Sequence, residues 1–262
     1  MVKSKKIKLV GARPVLVAHR GYSGRYPENT LLAYKAAREQ GALYMELDLQ
    51  MTSDRVPVLH HDQSLLRMAG VDIDVRDVKA KYFKTLKASY KTRFKDQFAD
   101  NSFTTFKKLC KWLKHNPELT IFVEIKQESI DRFGISEFID AVYRRILQSN
   151  VESQCVIISF NHESLEYTRR VSPMRIGWVL PEWSERNRQL AVESGPDFLF
   201  CDKDYLPGSD EEIWRGSWQW AVYNLDDVDS AIEMANRDIG FLETNEIGTL
   251  MSDRVLVDKG ET

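Results

Sequence analysis

Short β-branched and aliphatic runs alternate along this chain with amphipathic stretches of 10 to 16 residues, and this alternation constrains the fold more than any other feature. Strands that alternate with helices must lie parallel to one another, because each helix carries the chain back to the start of the next strand. The pattern predicts strands at residues 15–18, 43–50, 56–60, 120–126, 155–160, 175–180, 197–201, 218–223 and 239–243. Helices are expected at 30–40, 104–114, 136–148, 162–170, 184–193 and 227–236, the first punctuated by Pro27 and Asn29 before it and Gly41 after it.

Nine strands are one too many for an eight-stranded barrel. The run at 56–60 follows residue 50 by only five residues. A parallel crossover needs about a dozen residues or more, so this run is expected to turn back as a hairpin at the barrel mouth. Eight strand–helix positions remain, and the fold expected is an α/β TIM (β/α)8 barrel with a small insertion after the second strand. It is read as a single domain over residues 1–262, with the insertion at about 52–103. No Pro/Gly/Ser-rich linker or short repeat divides it.

Composition narrows the class of partner. Thirty-seven basic and 39 acidic residues give a net charge of −2, which argues against a nucleic-acid-binding face and for a small-molecule partner. Cys110, Cys155 and Cys201 are widely spaced, form no CxxC pattern and sit among apolar residues. They are expected to be reduced core thiols, as in a cytoplasmic protein. Residues 1–10 hold four lysines but lead into no apolar run suited to a secretory signal, and no stretch approaches a membrane span. One segment breaks the rhythm: residues 79–95 carry seven basic side chains and no acidic one. Phe83, Leu86, Tyr90 and Phe94 recur there at spacings of three and four, which predicts an amphipathic helix. Its plain reading is a solvated cationic face over a packed stripe. The sharper one is peripheral contact with an anionic substrate or a lipid surface.

The chemistry concentrates in a few motifs. His19-Arg20-Gly21 ends the first strand, Glu46-Leu47-Asp48 lies within the second, His60-His61-Asp62 follows residues 56–59, and Glu124-Ile125-Lys126 ends a later strand. Period-two alternation turns Glu46 and Asp48 to the same side. A lone Glu-x-Asp is most often a solvated face. These carboxylates instead sit at the ends of apolar runs that should be buried parallel strands, where barrel active sites form. Three carboxylates without a thiolate form a hard oxygen set, which predicts one divalent cation, Mg²⁺ or Ca²⁺. A single histidine is usually a hydrogen-bonded core residue. Beside a cation, His19 and His61 make an acid/base pair. Arg20 can grip phosphate through its guanidinium fork and Lys126 can add a point charge; both can equally pair with the carboxylates. With one divalent ion the three carboxylates, Arg20 and Lys126 leave one net positive charge, which suits a phosphodiester.

Together with Pro27-Glu28-Asn29-Thr30 and Pro57-Val58-Leu59-His60-His61-Asp62, these motifs resemble, in order and spacing, the glycerophosphodiester phosphodiesterase family. The resemblance runs from about residue 15 to 245, most strongly as far as Lys126. It implies a TIM-barrel, metal-dependent hydrolase that releases glycerol 3-phosphate and an alcohol from deacylated phospholipids. It also implies that His19 and His61 are catalytic, that Glu46, Asp48 and Glu124 hold the metal, and that Arg20 and Lys126 contact phosphate. His61 is chosen over His60 because it precedes Asp62. Rival readings are a lysophospholipase D-like enzyme docked to lipid through 79–95, and a catalytically silent barrel that binds phosphorylated ligands. The chain departs from the family at Arg55, where glycine is usual, at Met68-Ala69 in place of threonines, at Ala221-Val222-Tyr223-Asn224, and at Asn245, where aspartate is usual. Trp183, Trp214, Trp218 and Trp220 are candidates for the pocket lining or for buried packing.

Overall fold

The computed structural model describes residues 7–209 and 211–258, so the lysines before residue 7 lie outside the described residues. Nine strands form: β1 Val15–Ala18, β2 Tyr44–Met51, β3 Pro57–Leu59, β4 Thr120–Ile125, β5 Cys155–Ser159, β6 Arg175–Val179, β7 Phe198–Asp202, β8 Gln219–Tyr223 and β9 Phe241–Thr244. All except β3 run parallel. Pairing of β1 with both β2 and β9 closes the sheet into an eight-stranded barrel, with helices between the strands. The short β3 pairs antiparallel with β2, Leu49 opposite Leu59, and is the hairpin return that its spacing required.

Alternation sorts each strand into two faces. In β2, Met45, Leu47, Leu49 and Met51 point outward into the large core shared with the helices. Val17, Phe122, Ile158, Val179, Phe198, Phe200, Ala221 and Phe241 fill the barrel interior, where Phe122 meets Phe198 and Phe200 edge-on at 5.0 Å. Each large side chain buried this way contributes about 1.5–3 kcal/mol. Gly177 makes room for that layer: a Cβ there would lie 2.9 Å from Ile158 Cγ2 and 3.0 Å from Phe200 Cε2.

The helix Leu31–Glu39 is capped by Thr30, whose hydroxyl accepts from Ala33 N. The three cysteines are free and buried, as expected. One expectation is corrected. The 79–95 segment is not one amphipathic helix but two turns, Ala80–Phe83 and Lys91–Phe94, joined by irregular chain. The amides of Ser89 and Tyr90 donate to Met68 O and that of Ala88 to Asn101 O, so tertiary partners take the hydrogen bonds that a helix would need. The apolar stripe is nevertheless used, because Phe83, Leu86 and Tyr90 join a separate small core under the insertion with Leu65, Met68 and Phe103. Of the two readings open for the tryptophans, packing rather than lining of the central cavity is the one realised. Trp183 stacks on Trp214 at 3.8 Å and on Trp220 at 5.6 Å, and all three pack in or against the core shared with the helices. No helix among the described residues is long and apolar enough to cross a membrane.

Candidate active site

The carboxyl ends of the strands open on a cavity of about 140 Å³ lined by His19, Arg20, Glu46, His61, Glu124, Lys126 and Glu243, with Ile158, Phe200 and Tyr223 on the apolar side. Parallel pairing brings Asp48 of β2 opposite Glu124 of β4, and Glu46 stands two residues earlier on the same inward face. One oxygen from each of Glu46, Asp48 and Glu124 lies within 4.8 Å of the others. Asp48 is fully buried just below the lining. Arg20 and Gly21 both take positive φ, and a Cβ on Gly21 would lie 2.7 Å from the Ala33 backbone. That tight turn sends the Arg20 side chain back over the carboxylates.

In this structure the two cations pair with those carboxylates. Arg20 reaches Asp48 Oδ2 at 2.9 Å and Glu28 Oε1 at 3.0 Å, while its amide donates to Glu46 Oε2 at 3.0 Å. Lys126 Nζ lies 2.9 Å from Glu124 Oε1 and 3.5 Å from Asp48 Oδ1. Burial alone would raise the Asp48 pKa, but Arg20 and Lys126 hold it well below the usual range. Glu46 moves the other way, raised by burial and by the charges of Asp48 and Glu243. Glu124 is raised by burial against the opposing pull of Lys126. Glu46 Oε1 and Asp48 Oδ1 are buried without a hydrogen-bond partner, an unmet demand that a hard divalent ion would fill. The residues present therefore fit such an ion.

His19 and His61 enter from different loops. Asn245 Nδ2 donates to Asp226 Oδ2, which fixes the amide so that its Oδ1 faces His19 Nδ1 at 2.9 Å. The acceptor implies a proton on Nδ1 and a free lone pair on Nε2. Burial, then Arg20, lowers the His19 pKa to about 3, so the ring is neutral near pH 7. His61 sits at the rim with Nδ1 2.8 Å from Asp62 Oδ1. His60 points elsewhere, its Nε2 3.1 Å from Ser64 O and its ring edge-on to Phe103.

With these motifs placed on a closed parallel barrel, the comparisons with known proteins become decisive. The model of the glycerophosphoryl diester phosphodiesterase family matches residues 19–209. The chain belongs to that family. Membership makes it a hydrolase of phosphoric diesters. A glycerophosphodiester phosphodiesterase of Caldanaerobacter subterraneus subsp. tengcongensis is 33% identical over 227 residues, covering 84% of this chain and 90% of that one. A second, from Bacillus subtilis, is 29% identical over 73% of this chain and 71% of its own length. Among solved structures, an Oleispira antarctica phosphodiesterase in complex with the product sn-glycerol-3-phosphate superposes with a TM-score of 0.80 at 20% identity, covering 92% and 96% of the two chains. A Thermotoga maritima family member gives 0.66 at 23% identity, with coverage of 90% and 96%. At these identities the likeness is one of fold.

Several residues that hold the site together were assigned no part in the sequence. Asn29, in left-handed conformation, donates to Asp48 Oδ2 at 2.8 Å and accepts from the Asp48 amide. Glu28 binds Arg20 and, through both oxygens, Arg67, which in turn grips the Asp62 that orients His61. The Pro27-Glu28-Asn29-Thr30 motif marked this segment without revealing its task. Glu243 ends the strand expected at 239–243, where nothing in the sequence assigned it a task. Arg55 occupies its usual-glycine position at φ +62°, its guanidinium held by Glu137 and Ser53 O.

The Glu28 network gives an acid-stability prediction. Burial opposes ionisation, but Arg67 and Arg20 lower the Glu28 pKa from 4.5 to about 2. Its stabilisation is therefore fully present above pH 4.5 and is lost as the pH falls through 2, an upper bound of about 3 kcal/mol. Urea unfolding should show Glu28→Gln well below wild type at pH 7, with the gap narrowing by pH 3. An equal gap at both pH values would contradict this account.

Proposed function

We propose that the chain hydrolyses glycerophosphodiesters to glycerol 3-phosphate and an alcohol. In this reading Glu46, Asp48 and Glu124 hold one divalent cation, Mg²⁺ or Ca²⁺, Arg20 and Lys126 bind the phosphate, and His19 and His61 move protons. The observation that carries it is the convergence of three carboxylates from β2 and β4, two of them with buried oxygens that accept no hydrogen bond, on a cavity that also receives imidazoles from two separate loops. When bound, the cation would supply positive charge to the nonbridging phosphate oxygens as phosphorus is attacked.

The remaining work falls to the chain. Arg20 and Lys126 turn part of their pairing from carboxylate to phosphate, which neutralises charge that grows in the transition state. His19, neutral and with Nε2 free, takes the proton of the attacking hydroxyl. That hydroxyl belongs to water or, in a two-step route, to the neighbouring glycerol carbon, whose attack gives a cyclic phosphate that water then opens. His61, with Nδ1 on Asp62, delivers a proton through Nε2 to the departing alkoxide. Asp62, held by Arg67, fixes the ring orientation.

The mostly charged and polar lining of the cavity suits a deacylated diester better than a substrate that keeps an acyl chain. The test is glycerol 3-phosphate release from a panel of glycerophosphodiesters by metal-stripped protein, with Mg²⁺, Ca²⁺ or Mn²⁺ restored separately and the lysolipid run alongside. Release is expected only with added cation and preferentially from the deacylated compound. Undiminished release in chelator, or a strong preference for the lysolipid, would overturn the reading.

A further inference from the structure

Glu243 has no task in the chemistry described so far. It projects from β9 into the same cavity, 4% exposed, and the group that faces its Oε1 is His19 Nε2 at 3.4 Å. Glu28, Asp48 and Glu124 each pair with a lysine or arginine, but the ion-pair partner of Glu243 is an imidazole. Burial raises its pKa to about 8 despite Arg20, with Glu124 and Asp48 adding to the rise.

We propose that His19, Glu46 and Glu243 form a second cation site, adjoining the all-oxygen triad and sharing Glu46 with it, that takes a borderline transition ion of the Zn²⁺ type. One donor atom from each residue lies within 4.8 Å of the others. An independent observation points to a ligand there. Asn224 Oδ1, on the same cavity, is buried without a hydrogen-bond partner, and Glu46, 2% exposed, turns Oε2 to His19 Nε2 at 3.8 Å, which leaves its Oε1 to the oxygen triad.

The state of His19 agrees. Metal-binding imidazoles commonly donate their other N–H to a carbonyl or carboxylate that sets tautomer and ring direction. Asn245 Oδ1 does this at Nδ1, and is itself held by Ser23 Oγ at 2.8 Å and through the Asp226 contact, so the Nε2 lone pair is left on the side of Glu46 and Glu243. The donor set separates the two sites chemically. Mg²⁺ and Ca²⁺ seek oxygen alone, whereas one imidazole with two carboxylates suits Zn²⁺.

Occupancy of this site uses the lone pair that His19 needs to accept a proton. Zn²⁺ therefore inhibits the Mg²⁺-supported reaction, a consequence that rests on the base role given to His19 above. The site itself does not rest on it.

The experiment is calorimetric titration of Zn²⁺ into the full chain in saturating Mg²⁺, with turnover followed in parallel and a wild-type crystal measured at the zinc edge. One Zn²⁺ per chain is expected, with anomalous density between His19, Glu46 and Glu243. Affinity should fall at least 10–100-fold in Glu243→Gln, because loss of even an outer partner of a metal ligand costs about that much. Glu124→Gln, which alters only the oxygen triad, should keep the zinc. Wild-type affinity in Glu243→Gln, or density elsewhere, overturns the site; the crystal decides even if that variant does not fold. Zinc bound at the site without loss of turnover supports the site and removes the base role of His19.

Discussion

Alanine at His61 is expected to lower turnover on a saturating glycerophosphodiester about 10²–10⁴-fold, and alanine at His19 by a similar factor, the range that general acid–base groups contribute. The two losses should not multiply in the double variant, because a step that lacks one proton transfer gains little from the other. Stability is expected to hold in His61→Ala. The His61 side chain is 34% exposed at the rim and gives up one hydrogen bond, to Asp62, which Arg67 continues to hold. Thermal unfolding beside the kinetics separates chemistry from folding. Near-wild-type turnover in either single variant would remove that histidine from the mechanism.

Asp48→Asn should have the largest effect on the assembled site. The side chain is fully buried and serves as counter-charge to both Arg20 and Lys126, with Asn29 bonded to its carboxylate and its amide. Asparagine keeps the shape and removes the charge, leaving two buried cations short of a partner. Breaking buried pairs in this way costs about 3–5 kcal/mol. In a chain of this size that lowers the melting temperature by roughly 6–20 °C. Added Mg²⁺ should also stop raising the melting temperature, since ligand-linked stabilisation disappears with the site. Glu124→Gln should be milder in stability, because Glu124 pairs with Lys126 alone and its charge is already disfavoured by burial. A melting temperature within error of wild type, or an undiminished response of Asp48→Asn to Mg²⁺, would show that Asp48 is not the hub.

Asn245 marks one place where this chain departs from the pattern its motifs resemble. Asparagine in place of the usual aspartate presents a neutral acceptor to His19 Nδ1, so the imidazole is fixed in one tautomer without an extra charge beneath it. Glu243 stands at the other ring nitrogen, 3.4 Å from Nε2.

The order of strands and helices, the hairpin return of β3 and the inward pairing of Glu46 with Asp48 were legible in the sequence because each follows from a local rule. Period-two alternation assigns faces, and five residues cannot complete a parallel crossover. The motifs likewise named His19, Arg20, His61 and Lys126, all of which reach one cavity. A closed barrel was expected from the strand count, but which side chains the closure sets side by side was not legible. Only the pairing of β1 with β2 and β9 sets His19 beside both Glu46 and Glu243, residues 27 and 224 positions away. The Glu28–Arg67–Asp62 chain and the register of Asp48 on Glu124 have the same origin. Residues 79–95 show the opposite limit, since a sound helical period yielded to backbone hydrogen bonds with Met68 and Asn101. Side-chain period and turn chemistry act over a few residues, whereas strand neighbours and competing hydrogen-bond partners are chosen by packing across the whole barrel.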